Sequence, residues 1–546
     1  MAVAHGVQGW QRCQGIDRRA GWALQAGDKK TAAPSFPSRP SFASAHARST
    51  KTRALQAEKP SSPARPSAPR SRRRSGPRPP TSVRSLVLEQ LLRVEEKGAF
   101  AALASGDPGA EGAAMPLSAQ DRRDVTRLTS DILRWKRKLD HIVDTVNGDY
   151  HRGGGASKGA RRRPKPFQPS VRQLLRMGTF ELYFSRKPSY VVNEYVQLAK
   201  LTDARKAAGL INSVLRKVST YEDEERSEED LLSMDREDLV ECLGKEHSHP
   251  DWLVSRWLQR FGLKECLELL EYNNSRPRYC LRTNPCNGLT TSEMKQRLDA
   301  AGVEYSDAQY LDDFVVIDRG LQNVFAAGLM RDQLCSVQDV SAGLVVDLMD
   351  PRPGDEVLDT CAAPGGKFYY AASRMGYEGK LVALDASENR LRALERGTRR
   401  FPDDTLQIET YPMAFEDWSR ENEGVLFDKV LVDAPCSGTG VLAKRADLRW
   451  RRDENQLREL IGVQSRLLDC AKRHVKVGGV LCYSTCSIEE EENAQRVRAF
   501  LEKNAGFQLD VSKDVRKDVR KDGFLQTFPN RHGIDGAFAA RLVRIS

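Results

Sequence analysis

From Ser82 onward apolar residues recur at helical spacing: Val83, Leu86, Leu88, Leu91, Leu92 and Val94 share one side of a 3.6-residue repeat. The same period returns at 121–146, 170–184, 190–201 and 203–218, with no strand-like run between. The pattern predicts an all-helical domain over 81–220, interrupted at 151–166 by a Gly- and Arg-rich loop too polar to pack. Residues 221–247 open with YEDEERSEED and read as an acidic linker. Over 248–337 the period alternates. Helical PDWLVSRWLQRFG and KECLELLEYNN precede strand-like RYCLRTN, helical TTSEMKQRLDAAG and strand-like FVVID, which suits a small α+β domain. Strands and helices alternate regularly over 338–546, with strands expected at 355–362, 380–385, 405–411, 427–435, 480–485 and 537–545. Glycines at 376 and near 478 are placed as helix C-caps. This is the pattern of a doubly wound α/β sheet, whose ligands bind at the carboxyl ends of the strands.

Composition narrows the function classes. The chain has 546 residues and a formal charge of +11. Residues 1–80 hold 16 Lys/Arg against 3 Asp/Glu, whereas 81–546 hold 70 against 72, so the excess belongs to the tail. That tail also has ten of the 26 prolines, cannot bury enough apolar surface to order itself, and reads as an organelle transit peptide, chloroplast before mitochondrion. The protein is cytoplasmic if the tail has no targeting value. No apolar run is long enough for a membrane span. Eleven scattered cysteines without a CxxC pair argue against a disulfide framework and a zinc site; no metal is expected.

The candidate chemistry falls at expected strand ends. After the first strand of the 338–546 region come Cys361, Ala362, Ala363, Pro364, Gly365, Gly366 and Lys367, where small residues let backbone approach a ligand at a helix N-terminus. The pattern is not GxGxxG. Asp385 closes the next strand, placed to accept hydrogen bonds from both ribose hydroxyls of an adenosine. A nucleoside cofactor without pyrophosphate fits, S-adenosylmethionine being the commonest; a tight turn and a helix-capping Asp would leave the same residues. Asp433 and Cys436 end the fourth strand and Cys486 ends the fifth, bringing two thiols to one crevice. Methylation of a pyrimidine at C5 has use for them. A thiolate adds to C6 and makes C5 nucleophilic, an acid near N3 favours the addition, and a second group helps release the product. Cys486 precedes a helix start, which favours its thiolate. Spacing does not decide which cysteine attacks. The base must leave its stack to be reached.

DTCAAPGGK, DAPCSGTG and YSTCSI…EN resemble the motifs of the RNA cytosine-C5 methyltransferase family, in its RsmB-type branch acting on small-subunit ribosomal RNA. KPSYVVNEYVQLAK and LINSVLRKV, in the helical region, resemble NusB. The likeness spans 82–546 apart from the 151–166 insertion. It implies a NusB-like RNA-binding domain, a small α+β domain, and a C-terminal α/β class I (Rossmann-like) domain dependent on S-adenosylmethionine. It further implies Cys486 as nucleophile and Cys436 as the thiol that promotes release. Residues 361–367, Asp385 and Asp433 would line the cofactor and base site. Tyr411 stands roughly where the family has an acidic residue near the adenine; Glu409 or Glu416 could substitute, or Tyr411 could stack on the ring.

Lys444, Arg445, Arg449 and Trp450, in LAKRADLRWRR, are expected at the crevice rim to hold RNA phosphates and stack a base, with Asp447 ordering the loop through an arginine pair. His532 is expected in a turn rather than as a base. The expected partner is ribosomal RNA or an assembling small subunit, and the working unit a monomer. The competing readings are an inactive RNA-binding assembly factor that keeps the fold, and a methyltransferase for small molecules or protein. The last has no use for paired thiols.

Overall fold

The structure, a computed structural model, describes residues 82–97, 118–152, 166–187, 190–223, 226–399, 401, 405–513 and 517–546. The basic tail, and the 151–166 insertion apart from its ends, lie outside them.

The first domain packs helices Val83–Lys97, Ala119–Arg134, Lys136–Arg152, Pro169–Thr179, Tyr190–Lys200 and Ala208–Val218 around Leu91, Leu139, Leu174, Tyr195, Ile211 and Leu215. The expected single helix at 121–146 is two, parted at Trp135, whose backbone leaves the helical region. Its buried charges are paired: Arg176 reaches both Asp140 oxygens at 2.8 Å.

The expected acidic linker is largely folded. Ser227 and Asp230 close a capping box before helix Glu228–Ser233, and Asp235 caps Arg236–Glu246. The acids cluster in first turns, where the helix dipole favours them, so the run marks helix starts and not a tether. Leu231 and Leu243 are buried with Leu253, Trp257 and Leu270 of helix Asp251–Asn274, hereafter the bridging helix, which is bent at Gly262 (φ 77°).

Next comes a four-stranded antiparallel sheet in the order β2 (Glu304–Asp307), β3 (Phe314–Arg319), β1 (Tyr279–Thr283), β4 (Cys335–Val337). β1 and β3 match the expected strands. β2 and β4 have no apolar run to announce them and are recruited by pairing.

The last domain holds a sheet in the order β11 (Arg520–Lys521), β12 (Phe524–Thr527), β13 (Ala537–Arg544), β9 (Val475–Thr485), β8 (Phe427–Asp433), β5 (Glu356–Asp359), β6 (Gly379–Leu384), β7 (Leu406–Tyr411). A further strand, β10 (Phe507–Leu509), pairs with β13. β9-β8-β5-β6-β7 are parallel, whereas β13 runs antiparallel to β9. All six expected strands form. Gly376 follows helix Gly366–Arg374 at φ 62°, as expected. Gly478 (φ 79°) instead lies inside β9, where the register with β8 shifts; the preceding long helix ends earlier, at Ala471.

Candidate active site

Parallel pairing aligns the chemistry. β5 ends on Asp359, β8 on Asp433 and β9 beside Ser484, and Asp433 pairs directly with Ser484 in the register. Past these ends the chain turns, and the turns carry the site.

After β5, Gly365 takes φ 107° and starts helix Gly366–Arg374; a side chain there would strike Tyr369 at 2.7 Å. Around Gly366 the only atoms within 4 Å of a would-be Cβ belong to Gln338, so the helix N-terminus is open to a ligand. Asp385 is buried after β6; its Oδ1 accepts from the Ser387 backbone at 2.9 Å and its Oδ2 lies 3.4 Å from Arg390. Arg390 also donates to the Ala363 carbonyl, tying the two loops together. A helix N-terminus beside a buried carboxylate suits an adenosyl cofactor: backbone amides of 366 and 367 for its charged end, the Gly365 amide being already given to the Ala362 carbonyl at 2.8 Å, and Asp385 for its ribose. Tyr411 donates to Glu409 at 2.9 Å, and Glu409 also pairs with Lys380 at 2.7 Å. Glu416 lies 3.9 Å from Arg466.

Lys367 extends from the same helix to Asp433, Nζ to Oδ2 at 2.8 Å, and Ser484 donates to Asp433 Oδ1 at 2.8 Å. Burial works against the Lys367 charge, yet Asp433 holds its pKa above the ordinary value. Asp359, fully enclosed, is pushed to about 7 by burial and then by the Asp433 charge. Burial, seconded by Asp359, moves the Cys361 thiol to about 12, which suits a packed residue and not a nucleophile.

Cys436 Sγ and Cys486 Sγ are 3.3 Å apart. The hydrogen bond between them lowers Cys486, with the Lys367 ammonium acting in the same direction, and raises Cys436, where burial adds to the effect. Burial and the Asp433 charge work against the lowering at Cys486, so the hydrogen bond from Cys436 is what favours Cys486 as the more acidic of the two. Their loops are fixed by a buried network. Glu492 accepts from the Ser437 backbone at 2.8 Å, from its hydroxyl at 2.5 Å and from Gln464 at 3.0 Å; Asn493 accepts from Thr485 and donates to the Ser487 carbonyl. Gly440 donates to the Cys486 carbonyl at 3.0 Å and approaches Gly536 so closely that a Cβ would lie 2.2 Å from its oxygen.

The structure thus brings Lys367, Asp433, Cys436 and Cys486 together, with residues 361–366 and Asp385 beside them. It also adds Arg390 and Gln464, which lie outside the quoted motifs, and gives new roles to Ser484, inside YSTCSI, and to Arg452, at the end of the basic run, which donates to the Cys436 carbonyl at 3.3 Å. Each acts across a long sequence separation, so no local pattern announces it.

The basic loop requires correction. Arg449, expected at an RNA face, is 1% exposed, donating to the carbonyls of Arg134, Ser248 and Asn273 and to Asn274 Oδ1. Trp450 donates to the Leu133 carbonyl at 2.6 Å. Lys444 is bound between Asp339 and Asp535. Arg449 and Trp450 join domains instead of reaching outward, because the loop lies in the seam between the helical domain and the sheet, and Lys444 ties two segments of the last domain together. Arg445, its side chain 38% exposed and 3.7 Å from Asp447, still faces solvent. His532 closes a turn, accepting from the Phe528 backbone at 2.8 Å. Among the described residues no cluster of His, Cys, Asp or Glu could hold a metal, no helix is long and apolar enough to cross a membrane, and all cysteines are free.

Comparison with known proteins extends this picture. A family model described as 16S rRNA methyltransferase RsmB/F matches residues 346–543, one described as the NusB family matches 81–220, and one for the RsmF/B-like ferredoxin-like domain matches 249–324. The probable ribosomal RNA small subunit methyltransferase B of Bacillus subtilis (strain 168) is 30% identical over 466 residues, 84% of this chain and 98% of the relative. Its counterpart from Escherichia coli (strain K12) is 29% identical over 430 residues, 78% of this chain and 92% of the relative. The crystal structure of PH0851 superposes with a TM-score of 0.67 at 24% identity, covering 85% of this chain and 97% of that one, which shows a shared fold.

Proposed function

The chain belongs to the RsmB/F family of 16S rRNA methyltransferases, and from that premise we propose that it methylates C5 of a cytosine in small-subunit ribosomal RNA through a covalent adduct at Cys486. The observation that carries this is the thiol pair 3.3 Å apart beside the Lys367–Asp433 ion pair. A transferase to a ring nitrogen or hydroxyl needs neither thiol.

The Cys486 thiolate, kept low by its bond from Cys436, adds to C6 of a base extruded from its stack. Electron density moves towards N3, which takes a proton from solvent; the Asp433 carboxylate, fixed by Lys367 and Ser484, accepts a hydrogen bond from that N–H until the proton returns to solvent as the ring is restored. C5 is then the nucleophilic carbon. S-adenosylmethionine, when held by residues 361–367 and Asp385, supplies an electrophilic methyl group. Once the methyl group is on C5, the C5 proton passes to solvent, the C6–S bond breaks, and Cys486 leaves as a thiolate that the neighbouring Cys436 S–H stabilises by hydrogen bonding. The base regains its aromatic ring.

Two variants test this on ribosomal RNA with the cofactor. Cys436→Ala is expected to accumulate a protein–RNA adduct that survives denaturation, and Cys486→Ala to form none. If neither variant traps RNA and the wild-type protein transfers no methyl group, the proposal fails and a binding role in subunit assembly takes its place.

A further inference from the structure

The chemistry above uses side chains of one sheet, yet the residues after Cys486 make their firmest contacts elsewhere. Ile488 is fully buried in an apolar cluster with Leu253 and Trp257 of the bridging helix. Its carbonyl accepts from Arg260. Glu489, 1% exposed, accepts from Trp257 Nε1 at 3.1 Å and from Arg256 Nε at 3.0 Å. Arg256 Nη2 reaches both Glu491 oxygens at 2.7 and 2.8 Å, and Arg260 pairs with Glu490 at 3.1 Å. Arg256, Trp257 and Arg260 stand at i, i+1 and i+4, so one side of one helix engages every residue from 488 to 491. From the other side Glu492 ties the loop to the Cys436 turn through Ser437, and Asn493 ties it back to Thr485 at the end of β9.

We propose that the bridging helix is a working part of the catalytic centre, with Arg256, Trp257 and Arg260 as positioning residues that set where Cys486 sits relative to Cys436. This rests on the reading of Cys486 as nucleophile. Glu489 is three residues beyond Cys486, and the segment between them is buried, so it transmits displacement rather than absorbing it. A carboxylate buried this deeply cannot stay in place without its donors. If it turns outward, the Sγ–Sγ contact lengthens, Cys486 loses its donor and its thiol pKa rises. Cofactor binding, at the ends of β5 and β6, is untouched.

The test uses the full chain with Arg256→Gln, Arg256→Lys and Trp257→Phe; the last keeps the ring packing and deletes the N–H. Alkylation of Cys486 by iodoacetamide is followed against pH by peptide mass spectrometry, alongside methyl transfer to ribosomal RNA and S-adenosylhomocysteine binding. Arg256→Gln is expected to move the Cys486 alkylation midpoint up by about half a pH unit and to lower kcat about tenfold, with cofactor affinity unchanged. Arg256→Lys should recover part of both, and Trp257→Phe should shift both in the same direction by less. The proposal is overturned if the variants melt at lower temperature while the Cys486 profile and kcat stay wild type, for the helix is then only a strut. It is equally overturned if cofactor affinity falls in step with kcat. Should Arg256→Gln not fold, Trp257→Phe decides by the same criteria. The alkylation readout needs no RNA, so failure of the methylation reading is seen separately, as a wild-type enzyme that traps and methylates nothing.

Discussion

Replacing Arg449 by methionine tests how the domains are held together. The guanidinium is enclosed, burial lowers its pKa, and the charge next acting on it is another cation, Arg134. Its compensation comes from four oxygens: the Arg134, Ser248 and Asn273 carbonyls at 3.3, 3.0 and 3.0 Å, and Asn274 Oδ1 at 2.8 Å. Arg134 ends one helix and Asn273 lies at the end of the bridging helix, so the cation sits at the negative ends of two helix dipoles. Hydrogen bonds to a charged group contribute about 1.5–3 kcal/mol each, offset by several kcal/mol for taking the guanidinium out of water. Methionine fills much of the volume but leaves the carbonyls without donors. The expected net loss is about 3–5 kcal/mol, as for other broken buried charge sites. Urea unfolding of the full chain reads it. A second measurement separates this role from phosphate binding: the salt dependence of RNA affinity should keep its slope in Arg449→Met. A loss below about 1 kcal/mol, with a salt slope reduced by about one, would refute the reasoning and return Arg449 to the RNA surface.

Gly440→Ala puts a Cβ 2.2 Å from the Gly536 oxygen, backbone against backbone, and is expected to cost about 1–3 kcal/mol and to displace the Cys486 carbonyl bond, lowering kcat; thermal melting and a turnover assay check both. Asp359, at about 7 when folded against an ordinary value near 3.8, binds its proton more tightly in the folded state, so its stabilisation is full below pH 3.8 and is lost as pH rises through 7. Asp359→Asn should remove that dependence, gaining on wild type between pH 4 and 7 by at most about 4 kcal/mol in urea unfolding; parallel curves would contradict the assignment.

The strands of the last domain are legible because each is a buried apolar run closed by a polar turn, and the site residues because they fall at those closures. Lys367, Asp433, Cys436 and Cys486 need only the rule that parallel strands present their carboxyl ends to one crevice. Arg449 is not legible. A run of cations around a tryptophan looks solvated in one dimension, and only the folded seam, where two helix ends meet it, shows where the charge goes. The acidic stretch at 221–247 misleads for a related reason, since acids in a first turn stabilise a helix just as acids in a tether repel one another. β2 and β4 escape a reading of the chain because their partners, and not their own residues, make them strands.

β13 has a consequence for how the enzyme comes into being. It is the edge-to-centre link of its sheet, pairing with β9 from Phe538 opposite Thr485 to Val543 opposite Val480. A nascent chain that has already delivered both cysteines still presents β9 as an unpaired edge, open to any other strand it meets. Both cysteines are therefore synthesised before the strand that pairs with β9. A translation product stopped before residue 537 would carry Lys367, Asp433, Cys436 and Cys486 and have no settled place to hold them.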